Sequence, residues 1–135
     1  MSRILIVPSD EPSGTLYRAI LRERGHALAF SSPKDALSKL EKHAYEGLII
    51  DINQLDAFET VIKNEGISLL ASLRKTNRYA NTPCLLGSYA YVNTSILERN
   101  LAPVRVFRKP INTSKGFARI VEEYFQRPAT QDNAP

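Results

Sequence analysis

The sequence predicts an α/β fold, a doubly wound five-stranded parallel sheet with five helices. Three observations carry this prediction. Short, β-rich apolar runs alternate five times with segments at helical spacing, the order that builds a parallel sheet covered on both faces. The clearest runs, Ile4–Val7, Leu48–Ile50 and Cys84–Leu86, are continuously apolar, as strands buried on both sides must be. The 135 residues, 43% hydrophobic and 24% charged, suit one domain that needs neither disulfides nor metals to hold its core.

Arg3–Val7 reads as the first strand. The breaker cluster Pro8-Ser9-Asp10-Glu11-Pro12-Ser13-Gly14 follows, with capping residues that start a helix. Leu16, Tyr17, Ile20 and Leu21 supply that helix's apolar stripe, and Gly25 closes it. His26–Phe30 is a second, weaker strand. Ser32-Pro33 opens the second helix, with a capping hydroxyl and a proline at the first helical position, and Ala36, Leu37 and Leu40 form its buried stripe. Gly47–Ile50 is the third strand and runs directly into Asp51. After a long segment, Ile67, Leu69, Leu70, Ala71 and Leu73 mark the third helix. Pro83–Leu86 is the fourth strand, and Ile96, Leu97 and Leu101 mark a short fourth helix. Val104–Phe107 is the fifth strand, and Phe117, Ile120, Val121 and Tyr124 lie on a last helix over Ser114–Tyr124. The domain is expected to span residues 1–125. The polar tail 126–135, with two prolines, reads as a disordered terminus or linker stub.

Composition narrows the function classes. No apolar run approaches the roughly 20 residues a membrane span needs. The four apolar residues after Arg3 are too few for a signal-peptide core, so a cytoplasmic protein is expected. Cys84 is the single cysteine and sits in an apolar run, which reads as a buried, inert thiol. The net charge of +4 comes from scattered basic residues, a mildly basic surface rather than a nucleic-acid footprint. His26 and His43 lack a ligand pattern and read as surface or satisfied side chains.

In a doubly wound sheet the working crevice lies beyond the carboxyl ends of the strands. Those ends carry Pro8, Ser9, Asp10 and Glu11 after strand one, Asp51 after strand three, Gly87 and Ser88 after strand four, and Lys109 after strand five. An acid, a hydroxyl and an amine are thus expected on one edge.

These residues resemble the receiver domain of two-component response regulators, a CheY-like, flavodoxin-like fold, over about Arg3 to Phe125. Leu48-Ile49-Ile50-Asp51 resembles the strand that delivers the phosphoacceptor aspartate. Asn64-Glu65-Gly66-Ile67 resembles the turn opening the third helix. Pro83-Cys84-Leu85-Leu86-Gly87-Ser88 resembles the strand ending in a serine or threonine. Phe107-Arg108-Lys109-Pro110-Ile111 resembles the Lys-Pro element, whose bond the family holds cis. The chain departs from the pattern in four places. Pro8-Ser9 stand where the family has two acids, Ile52-Asn53 stand where it has Met-Pro, the stretch from Asp51 to Gly66 is long, and Val106 replaces the aromatic switch residue.

The resemblance implies a phosphorelay module rather than a classical enzyme, with at most self-phosphorylation and autodephosphorylation at Asp51. A histidine kinase or phosphotransfer protein would donate the phosphoryl group. Magnesium (Mg2+) would be held by Asp10, Asp51 and the carbonyl of Asn53, weakened by the missing acidic pair, with Glu11 behind them. Lys109 and Ser88 would contact phosphoryl oxygens, because positioning and charge neutralisation carry such transfers. A downstream protein or output domain, or a second copy forming a homodimer, would dock on the fourth helix, fifth strand and fifth helix. Against this stand a degenerate pseudo-receiver that binds partners without phosphate and keeps a plain Lys109–Asp51 ion pair, and a small flavodoxin-like enzyme. The enzyme reading is weakened by the lack of a Gly-rich loop after strand one. Asp10 also has a purely local reading, as a helix cap.

Overall fold

The computed structural model describes residues 3–52, 65–89 and 94–125. The elements run β1 (Arg3–Val7), α1 (Glu11–Arg22), β2 (Ala27–Phe30), α2 (Pro33–Lys42), β3 (Gly47–Asp51), α3 (Glu65–Arg74), β4 (Cys84–Ser88), α4 (Thr94–Leu101), β5 (Val104–Arg108) and α5 (Ser114–Phe125). The tail 126–135, Asn53 and the apolar residues of the long segment (Phe58, Val61 and Ile62) lie outside the described residues.

Local chemistry sets the helix starts. Asp10 caps α1 and Ser32 caps α2, each in extended backbone, with a proline in the first turn behind it. After α1 the chain reverses at Gly25, whose φ of +80° is open to glycine without a Cβ penalty. The Lys109–Pro110 bond is cis, as is Ala102–Pro103.

All five strands are parallel, in the order β2-β1-β3-β4-β5. Successive residues of a strand face opposite sides, so each central strand feeds two cores. Leu5, Val7, Leu48, Ile50, Cys84 and Leu86 pack with α2, α3 and α4. Ile4, Ile6, Ile49, Leu85 and Phe107 pack with Tyr17, Ile20 and Leu21 of α1 and with Phe117, Ala118 and Val121 of α5. Cutting one of these fully buried leucines, such as Leu48, to alanine would cost about 2–5 kcal/mol.

The stripes read from the sequence are narrower in the fold. Leu16, Leu37 and Ile96 sit at helical spacing with core residues, yet they are exposed. Ser13 takes the buried position on α1 that Leu16 does not. His26 precedes β2 rather than opening it. It is buried rather than on the surface, and among the described residues neither ring nitrogen has a hydrogen-bond partner. His43 is exposed.

At the end of the sheet away from the strand carboxyl termini, Arg74 closes α3. Its guanidinium donates to the carbonyls of Leu101 at 2.9 Å, Tyr79 at 2.8 Å and Pro103 at 2.7 Å. Three chain segments are thereby tied at one cation, whose flat fork of N–H groups suits several carbonyls at once.

Candidate functional site

β1 lies between β2 and β3, so the chain leaves β1 and β3 in opposite directions along the sheet, and a crevice opens where they part. Asp51 ends β3 there, paired in register with Gly87 of β4. Ser88 ends β4 beside Arg108, and the backbone N–H of Lys109 donates to the Ser88 carbonyl at 2.8 Å. Sheet register therefore brings Asp51, Ser88 and Lys109 to one edge, and all three are buried.

The Asp51 side chain has no exposed surface, and that of Lys109 is 3% exposed. Lys109 Nζ sits 2.8 Å from Asp51 Oδ2, 2.6 Å from Ser13 Oγ and 3.2 Å from Ser9 Oγ. An ammonium has three protons, so these contacts use every donor it has. Its charge also lies 4.5 Å from the centre of the Tyr89 ring.

Asp51 Oδ2 accepts two further bonds from the loop after β1, from the Ser9 backbone N–H at 3.0 Å and the Ser9 hydroxyl at 3.4 Å. The same hydroxyl lies 3.2 Å from Asp10 Oδ2, and its single proton serves one carboxylate at a time. Asp51 Oδ1 accepts from the phenol of Tyr17 at 2.5 Å. Burial first, and then the carboxylate itself, push the Tyr17 hydroxyl far above the usual tyrosine pKa, so it stays a donor. Its ring stacks on Phe117 at 5.3 Å and meets Phe107 edge-on at 6.3 Å. Gly87 closes the remaining side. A Cβ there would stand 2.6 Å from Asp51 Oδ1 and 2.6 Å from the Phe107 ring.

Asp10 follows its local reading. Its Oδ1 accepts from the Ser13 backbone N–H at 2.7 Å, and that bond holds its carboxyl below the ordinary aspartate value. It is exposed at the helix start. Glu11 lies in the first turn of α1. Among the described residues no group of three or more His, Cys, Asp or Glu side chains could hold a metal ion. Both oxygens of Asp51 are bonded from within the chain, so Asp51 would have to give up a bond to meet a magnesium ion, whereas Asp10 spends Oδ1 on its cap and keeps Oδ2, in contact among the described residues only with the Ser9 hydroxyl. Asn53 lies outside the described residues.

Sequence reading gathered Asp51, Ser88 and Lys109 at this edge and placed Ser9 there without a role, but it did not bring Ser13 or Tyr17 to it. Ser13 and Tyr17 are four residues apart and share a helix face, together with Ile20 and Leu21. A serine on that otherwise apolar stripe was the available signal.

Cys84 is fully buried, and burial pushes its thiol up to about 12, as befits an inert core residue. Among the described residues no helix is long and apolar enough to cross a membrane.

No protein-family model matches the chain, and no curated protein does. Solved structures do. The chemotaxis protein CheY4 of Vibrio cholerae superposes with a TM-score of 0.75 at 17% identity, over 92% of this chain and 98% of that one. The receiver domain of the Francisella response regulator 1452 gives 0.71 at 22% identity, over 94% and 98%. The receiver domain of the sensor histidine kinase PA1611 from Pseudomonas aeruginosa PAO1, which holds a magnesium ion in its active-site cleft, gives 0.71 at 16% identity, over 93% and 98%. The chain has the CheY-like receiver fold.

Proposed function

We propose that this chain is a receiver-fold signalling module of the two-component type that works in the cytoplasm by protein contact, with Asp51 a fixed structural anchor. One observation carries the reading. Every oxygen of Asp51 is bonded from inside the chain, by Lys109, Ser9 and Tyr17, and its side chain has no exposed surface. A phosphoryl acceptor needs a carboxylate oxygen that a donor can reach in line, beside cations that neutralise the incoming anion. Here the neutralising cation is already spent on the acceptor itself. The missing acidic pair at Pro8-Ser9 points the same way. The partner is a downstream protein or output domain, or a second copy of the chain, seated on the surface of α4, β5 and α5.

A second reading is favoured by the convergence of Asp51, Ser88 and Lys109 at the strand ends. In it a histidine kinase or phosphotransfer protein phosphorylates Asp51, Lys109 and Ser88 hold the phosphoryl oxygens, and Mg2+ is held by Asp10, Asp51 and Asn53. That reading requires Asp51 to give up its bonds to Tyr17 and Ser9.

Intact-protein mass spectrometry separates the two. The chain and an Asp51→Asn control are incubated with magnesium and either acetyl phosphate or a phosphorylated histidine-phosphotransfer domain. The first reading expects no mass change in either protein with either donor. A single phosphoryl adduct on the native chain, missing from the control, would replace it with the second.

A further inference from the structure

The donors on Asp51 come from two directions. Lys109 and Ser9 approach Oδ2 from the strand ends, where a water molecule or a cation could take their place. Tyr17 approaches Oδ1 from the layer between the sheet and the α1–α5 pair, where nothing else can replace it. Its ring is fully buried and wedged between Phe107 and Phe117. The hydroxyl therefore cannot swing aside without displacing two aromatic side chains. Moving Asp51 outward would leave a buried phenol without an acceptor, a costly state.

We propose that Tyr17 is the positioning residue that shuts Asp51, holding Oδ1 and keeping the carboxylate turned inward, away from a phosphoryl donor or a metal. This inference rests on the reading that the native chain does not take phosphate at Asp51. The loss of the acidic pair at Pro8-Ser9 is then only half of what silences the site. Returning an acid at position 9 would supply a ligand for a metal but leave Asp51 pinned from beneath. Removing the phenol oxygen frees Oδ1 while the ring still fills its place.

The test compares the native chain with Ser9→Asp, Tyr17→Phe and the double variant Ser9→Asp/Tyr17→Phe. Each is given acetyl phosphate and magnesium and read by intact mass. In the step sought, an Asp51 oxygen bonds to phosphorus, the bond from phosphorus to the acetyl oxygen breaks, and acetate leaves with the electron pair. Binding of Mn2+ alone, followed by electron paramagnetic resonance, reports the metal separately. The expected result is an adduct and Mn2+ binding in the double variant roughly tenfold or more above Ser9→Asp, the scale of one hydrogen bond to a charged group. Equal yields in Ser9→Asp and the double variant would overturn the proposal, as would no adduct in either. An adduct on the native chain would instead sink the reading beneath it. The native chain supplies a second readout, independent of how the variants fold. The Tyr17 hydroxyl proton should appear by NMR as a slowly exchanging downfield resonance, absent in Tyr17→Phe and shifted upfield in Asp51→Asn. A hydroxyl proton in fast exchange with water would likewise overturn the proposal.

Discussion

Replacing Asp51 with asparagine keeps the size of the side chain and removes its charge, which isolates what the buried ion pair does for stability. At 2.8 Å and an effective dielectric near 20, the gross attraction between Lys109 and Asp51 is about 6 kcal/mol. Desolvation of both groups offsets most of it, so the pair itself contributes little. Removing one member is different, because Lys109 would be left without its carboxylate, its side chain only 3% exposed and two serine hydroxyls for company. Breaking a buried pair in this way costs about 3–5 kcal/mol. Asparagine can keep its carbonyl oxygen toward the Lys109 ammonium only by turning its amide N–H group to the Tyr17 hydroxyl, which would then have to accept rather than donate. For a chain of this length, 1 kcal/mol shifts the melting point by roughly 3–4 °C, so Asp51→Asn should melt about 9–20 °C lower. Urea denaturation followed by circular dichroism, with calorimetry beside it, measures the change. Lys109→Met and the double variant Asp51→Asn/Lys109→Met complete the cycle, and the double variant should recover much of the loss. A change under about 1 kcal/mol for Asp51→Asn would mean an accessible carboxylate, and the argument for an anchored Asp51 would fail with it.

Other consequences can be checked in the same preparations. Burial lowers the His26 pKa below 6.5, against a smaller opposing pull from Glu122. The unfolded chain thus binds the proton more readily, and stability should fall as pH drops below about 6.5, by at most about 1.4 kcal/mol per pH unit. His26→Leu should flatten that slope in urea titrations between pH 7.5 and 5; an unchanged slope would assign it to other groups. Arg74→Met removes three guanidinium hydrogen bonds and should cost about 3 kcal/mol by chemical denaturation. Gly87→Ala drives a methyl group into Asp51 and Phe107 and should destabilise by about 1–3 kcal/mol or more, whereas Gly25→Ala meets no atoms and is opposed only by its φ of +80°. Cys84 should stay unmodified by a thiol reagent in the native protein and react fully in denaturant.

What could be read from the sequence depended on how far each signal reached along the chain. Strand ends were legible because a parallel sheet lines up its carboxyl termini, so Asp51, Ser88 and Lys109 could be gathered before any coordinates existed. Asp10 carried two readings, and the cap needs only a neighbour three residues away, so it could be read locally, whereas a metal-binding role depends on distant partners. Tyr17 was hidden because an aromatic residue at helical spacing is indistinguishable from core filling. Only packing reveals that its hydroxyl ends 2.5 Å from a residue 34 positions away. Leu37 and Ile96 mislead for a related reason, since periodicity fixes the direction of a helix face but not its width. Arg74 gave no signal at all, because backbone carbonyls accept whatever donor the fold presents and leave no mark in sequence.

The Arg74 clasp also has a mechanical side. By holding the carbonyls of Leu101 and Pro103, it nails down the far end of α4 and the entry to β5. The eight residues from Thr94 to Leu101 form a rod about 12 Å long. A rod fixed at one end moves as a lever, so a tilt of about 10° barely stirs Leu101 but carries Thr94 through about 2 Å. A partner gripping α4 near its start would therefore have leverage, whereas one gripping the Arg74 end would be pushing on the fulcrum.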